Sequence, residues 1–71
     1  MKEIKIGDLL IDKNRDNPEI FKVTSNLTWD GKRLYSCDTW IEGKGFVDNG
    51  DYDMFTDQHI EDFGFEIYSP K

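Results

Sequence analysis

The sequence predicts a mainly β domain, either a small barrel or a strongly bent antiparallel sheet of five to six short strands, with one short helical turn near residues 57–62. Three observations carry this expectation. Turn-forming Gly, Asn and Asp residues recur about every eight to twelve positions, apolar residues between them alternate at period two, and Asp30-Gly31 separates two such runs. Seventy-one residues make a single domain over 1–71, because a chain this short leaves too much surface in water to divide into two cores.

Taken in order, Ile4-Lys5-Ile6, a Gly7-Asp8 turn and Leu9-Leu10-Ile11 form a short extended opening. The polar run from Asp12 ends in Asn17-Pro18, where proline disfavours helix at the residue before it, so this is a loop. From Glu19 to Thr24, Phe21 and Val23 share one face and Ile20 takes the other, which reads as a strand. Leu27-Thr28-Trp29 and Arg33 to Ile41 flank Asp30-Gly31, a pair that accepts positive φ in a two-residue hairpin turn.

In the second arm Tyr35, Cys37, Thr39 and Ile41 share one face, and Leu34, Ser36, Asp38 and Trp40 the other. Both faces mix apolar with polar groups, so one of them is expected to be only partly covered. Glu42-Gly43-Lys44-Gly45 turns the chain into Phe46-Val47, and Asp48-Asn49-Gly50-Asp51 turns it again before a strand from Tyr52 to Thr56. Thr56 or Asp57 then caps a helical turn through Asp62, with Ile60 and Phe63 on one side and Gly64 at its end. Phe65, Ile67 and Tyr68 form the last strand.

Composition narrows the function. Apolar residues make up 37% of the chain, enough for a core one layer deep but too few to wall in an interior enzyme cavity of roughly 300 Å³ or more. Trp29, Tyr35, Trp40, Phe46 and Tyr52 gather around the middle hairpins, and most are expected in the core, because a small domain relies on its rings for buried area. Trp40, beside Asp38, is the expected exposed anchor. Cys37 is the only cysteine. An intramolecular disulfide is therefore excluded, and a cytoplasmic location is the expectation. The opening turns polar at Gly7-Asp8 before any stretch of signal-peptide or membrane-spanning length, so no membrane association is expected.

The formal net charge is −6, unevenly spread. Residues 1–35 carry seven basic and six acidic side chains, a net of +1, and residues 36–71 carry two basic and nine acidic, a net of −7. Without a basic stripe, direct nucleic-acid binding is disfavoured, since that affinity depends on cations displacing counterions from phosphates. A basic protein is the expected partner. Asp48, Asp51, Asp53, Asp57, Glu61, Asp62 and Glu66 form an acidic cluster with no lysine or arginine among them. It reads either as a solubilising surface or as a docking face for a positive patch.

Catalytic and metal chemistry find no constellation. An EF-hand loop needs oxygen ligands at positions 1, 3 and 5, glycine at 6 and glutamate at 12. Starting from Asp48, positions 3, 5 and 6 are Gly50, Tyr52 and Asp53; starting from Asp51, they are Asp53, Phe55 and Thr56, with Asp62 at 12. Cys37 and His59 are each the sole residue of their kind, too few for a structural zinc site, and Gly43-Lys44-Gly45 lacks the rest of a phosphate loop. Cys37 is expected to be a small buried hydrophobe and His59 a surface residue. No enzyme, cofactor or metal is therefore expected.

The Lys5-Ile6-Gly7-Asp8-Leu9-Leu10-Ile11 opening, the Ile20-Phe21-Lys22-Val23 strand, the Asp30-Gly31 hairpin and the Asp57-Gln58-His59-Ile60 turn before a last strand resemble SH3-like small barrels. Small proteins of bacteriophages and mobile elements look similar. The resemblance implies that fold and a phage-like origin, in which inhibitors of host proteins are common. The acidic cluster, read as a docking face, is what suggests a phage-type inhibitor that mimics phosphates in a nucleic-acid site. Proline-rich peptide recognition does not carry over, because the Ala-Leu-Tyr-Asp-Tyr-like opening, the paired tryptophan and the Pro-x-x-Tyr element of peptide-binding SH3 domains are missing. The alternative expectation is a structural or assembly subunit that forms a homo-oligomer through a strand edge.

Overall fold

Asp30 and Gly31 hold φ angles of 51° and 74°, the positive pair that lets a two-residue turn follow the twist of its strands. They close the hairpin on which the fold is built. In the computed structural model, which describes residues 3–14, 16–48 and 54–70, the elements are β1 (Leu9–Asp12), β2 (Glu19–Trp29), β3 (Lys32–Ile41), β4 (Gly45–Asp48), β5 (Met54–Thr56), α1 (Asp57–Asp62) and β6 (Glu66–Tyr68). The six strands are antiparallel and form one sheet in the order β4-β3-β2-β1-β6, with β5 also pairing β3. One edge of β3 thus serves two partners: Leu34–Ser36 pairs with β5 and Asp38–Ile41 with β4.

The chain is mainly β, as expected, and its sheet is not closed. Among the described residues no pairing joins β6 to β4 or β5. The predicted strand from Tyr52 is described only from Met54 onward, and the turn at Asn49-Gly50-Asp51 lies outside the described residues.

One face of the sheet carries Leu10, Phe21, Val23, Tyr35, Cys37 and Phe55, all buried. Period two explains this set, since alternate side chains of each strand point to the same side. Ile4, from the segment before β1, and Ile60 of α1 complete the core, with Phe65 and Ile67 packed against it. Phe55 meets the edge of Phe21 with centroids 4.9 Å apart and that of Phe65 at 5.2 Å, the geometry that ring quadrupoles favour.

Ile4 is delivered to the core by the turn that follows it. Gly7 takes φ 97° and donates to the Val23 carbonyl at 2.8 Å, while the Val23 N–H returns a bond to the Asp8 carbonyl at 2.9 Å. The buried Asp8 carboxylate accepts from the Lys5 N–H at 2.9 Å, which offsets the cost of withdrawing it from water.

Three expectations are corrected. The runs Glu19–Thr24 and Leu27–Trp29 are one eleven-residue strand, β2, kept continuous by a β-bulge: Val23 lies opposite Cys37, but Ser25 rather than Thr24 lies opposite Ser36. Thr24 is the extra residue, and its hydroxyl donates to the Ser36 carbonyl at 3.2 Å. A bulge shifts parity, so odd-numbered residues that face inward at Phe21 and Val23 face outward at Ser25, Leu27 and Trp29.

The second correction concerns the aromatic residues. Of the five aromatics expected mostly in the core, only Tyr35 is buried; Trp29 is 71% exposed, Trp40 is 47% exposed and Phe46 is half-buried, while Tyr52 lies outside the described residues. The bulge sets Trp29 on the outer face of a hairpin end that is exposed on both faces, and Trp40 stands on the sheet face opposite the core, where no described element packs. The core rings are instead Phe21, Tyr35 and Phe55, supported by Phe65.

The third correction concerns α1. Thr56 is its N-cap, its hydroxyl accepting from the His59 N–H at 3.0 Å, and Ile60 is buried as expected. Phe63, however, is 53% exposed. Gly64 turns the chain with φ 66°, so that the Phe65 N–H reaches the Ile60 carbonyl at 3.0 Å and Phe65 packs on the core in the place expected of Phe63. The loop after β1 is fastened here too, since the Asn14 side-chain amide donates to the Phe63 carbonyl.

Candidate functional site

Two surface regions bring chemistry-bearing residues together. The first lies on the outer face of the sheet, at the Ile41 end of β3. Trp40 is opposite Phe46 of β4, and their rings meet edge to face with centroids 5.2 Å apart. Asp38, on the same face, lies between Lys22 of β2 and Asp48 of β4. The Lys22 ammonium sits 5.6 Å from the Phe46 centroid, within cation–π reach. A half-exposed indole is thus braced on one side by a neighbouring ring and bordered by carboxylates.

The second region is an open cleft of about 640 Å³ between the hairpin turn and α1, walled by Lys32 and Arg33 on one side and by Asp57, His59, Asp62 and Phe63 on the other. It exists because β5 leaves β3 at the Leu34↔Thr56 pair and the chain then turns into α1. Behind this wall the buried Tyr35 hydroxyl donates to Oδ1 of the lining residue Asp57 at 2.8 Å. Burial, and next the bond to Asp57, raise the Tyr35 pKa above the ordinary phenol value. Beside it the Arg33 guanidinium has its pKa raised, first by a hydrogen bond and attraction to Tyr35 and further by attraction to Asp57.

His59 is half-buried rather than a plain surface residue. Its ring stacks on Phe63 at 4.5 Å and tilts against Phe55 at 5.1 Å. Cys37 is buried on β3, on the core side. Among the described residues, no three His, Cys, Asp or Glu side chains gather as a metal-binding group, and no helix is long and apolar enough to cross a membrane.

The structure distributes the acidic cluster over three elements. Asp48 ends β4, Asp57, Glu61 and Asp62 lie on α1, and Glu66 opens β6; Asp51 and Asp53 lie outside the described residues. Several are already engaged. Asp57 accepts from Tyr35, Asp62 from the Gln58 amide at 2.7 Å, and Glu66 pairs with Lys13 across exposed surface, an arrangement worth little to stability. Trp40, by contrast, stands exposed beside Asp38, where the period-two reading puts it.

Sequence reasoning missed Arg33 and Phe63 as members of one site, and Tyr35 as the residue that bonds its Asp57. Arg33 and Tyr35 share a face at period two, a signal that was present, but their meeting with Asp57 depends on the pairing of β5 with β3. Comparison with protein-family models, with curated proteins and with solved structures returns no match.

Proposed function

We propose that this chain is a non-catalytic protein-binding module, with an SH3-like strand arrangement, that docks the Trp40–Phe46 end of its outer sheet face on a basic surface of a partner protein. The observation that carries this reading is Trp40 itself, 47% exposed, braced by Phe46 and bordered by Asp38 and Asp48. Tryptophan in a rigid setting with a charged rim is the composition of an interface hot spot. The net charge of −6 supports a positively charged partner, because complementary potentials steer encounter and suppress wrong partners. Occupation of a host protein's nucleic-acid site, with Asp48 beside the Trp40–Phe46 pair in place of a phosphate and Glu61 and Asp62 of α1 adding to the attracting field, is the inhibitory form of this reading. The open sheet supports a second reading, an assembly subunit that pairs through the edge of β4 or β6 to which no described strand is paired.

Affinity capture from a bacterial lysate with wild type, Trp40→Ala and a Glu61→Gln/Asp62→Asn variant tests both. A partner lost with Trp40→Ala and weakened by salt supports acidic docking. One retained equally by all three proteins at every ionic strength overturns it and favours the strand edge.

A further inference from the structure

From Thr24 to Arg33 every residue is exposed, so the end of the β2–β3 hairpin projects beyond the core with both faces in water. Trp29, at the end of β2, is the most exposed large apolar side chain of the described residues, at 71%. A bare indole on a projecting ribbon is costly to leave in water, and it carries most of its value when inserted into a matching recess.

We infer that two copies of the chain form a two-fold dimer in which Trp29 of each enters the cleft between β3 and α1 of the other. Position comes first. The cross-strand partner of Trp29 is Lys32, and Lys32 is also part of the cleft wall, so the projecting ring and the recess are immediate neighbours on one molecule. When a projection and its recess adjoin, one two-fold axis between them seats both projections at once and closes the assembly at two copies.

Size and chemistry agree. The cleft, about 640 Å³, has room for an indole, and its helix wall offers the exposed Phe63 ring, already held in place by its stack on His59. Charge agrees as well. Lys32 accompanies Trp29, and in the recess Lys32 and Arg33 of the β3 wall are matched by Asp57 and Asp62 on the helix wall, so the entering lysine meets a balanced site with its acidic groups on the α1 side. The overall charge of −6 on each copy opposes association at long range, so salt strengthens this dimer by screening that repulsion. Acidic docking on a basic partner has the opposite salt dependence, which keeps the two ideas separable.

The test is sedimentation of the whole chain from micromolar to millimolar concentration, at low and high salt. Wild type is expected to pass from monomer to dimer, with the dimer favoured by salt. Trp29→Ala and Phe63→Ala should each raise the dissociation constant at least about tenfold, while Trp40→Ala leaves it unchanged. Mixing the two weakened variants provides a readout that a folding defect would not reproduce: the mixed dimer keeps one intact Trp29-to-cleft contact, so the mixture should associate more tightly than either variant alone. A wild type that stays monomeric throughout overturns the inference. So does a dimer indifferent to Trp29→Ala, which would place the contact elsewhere, or a mixture no tighter than its parts.

Discussion

The Tyr35 hydroxyl donates to Asp57 Oδ1 at 2.8 Å, and through this bond the middle of β3 holds the first turn of α1. Replacing the phenol by Phe keeps the ring in the core and removes only the bond, so Tyr35→Phe should lower stability by about 1–2 kcal/mol. Urea unfolding measures it. An unchanged midpoint would show that Arg33 or water takes over the role.

The same bond predicts an alkaline signature. Burial and Asp57 raise the Tyr35 pKa above 10.0 in the folded chain, so the fold favours the neutral phenol. Its contribution is fully present below the unfolded value of about 10 and is lost as pH rises through the higher folded value. Wild type should therefore lose more stability than Tyr35→Phe above that point. Parallel loss in the two proteins, followed by unfolding at a series of alkaline pH values, would contradict this.

Aromatic substitutions should divide sharply by face. Phe55, against Phe21 and Phe65, should cost about 3–5 kcal/mol when cut to Ala, most of the stability of a domain this small. Trp29→Ala should change it by under about 0.5 kcal/mol. Circular dichroism during thermal melts separates the two, and equal effects would mean that the exposed ring packs more than its surface suggests.

Cys37 is 3% exposed, and reagents for thiols need access to the thiolate. Its labelling should be slow in the native protein and fast in denaturant. Similar rates in the two conditions would indicate that β3 opens locally without global unfolding.

Thr24 is predicted to be dispensable. Removing it leaves Val23 opposite Cys37 and Ser25 opposite Ser36, which is a regular ladder with every other side chain on its present face. The deletion should unfold cooperatively and leave Trp29 as accessible to a fluorescence quencher as before, read in a Trp40→Phe background. A shielded Trp29 would show that the whole register had slipped instead.

Much of the strand pattern was legible because it is local. Phe21 with Val23, and Tyr35 with Cys37, declare the inner face through spacing alone, and Asp30-Gly31 declares the turn. The bulge was not legible, because Thr24, Ser25 and Asn26 suit either face and the choice is made by where Phe21 and Tyr35 settle across the sheet. That single decision puts Trp29 on the outer face, while its exposure comes from the hairpin end projecting past the core. At the candidate site, Trp40 followed from its place beside Asp38. The cleft did not, since Arg33, Tyr35 and Asp57 meet only after β5 has paired with β3.

An open sheet separates two properties that usually travel together. Ile4 and Ile60 are as buried as Val23, yet neither lies in a strand, so the interior extends past the ladder of peptide bonds that frames it. Deuterium should therefore mark two boundaries. Amides of β2 and β3 around Val23 and Cys37, paired on both sides of the hairpin, should exchange last, whereas those of the three-residue strand β6 should exchange early although Ile67 packs on the same core. The slow-exchanging nucleus would then be narrower than the dry interior, and residues that keep water out would not be the ones that keep the backbone shut.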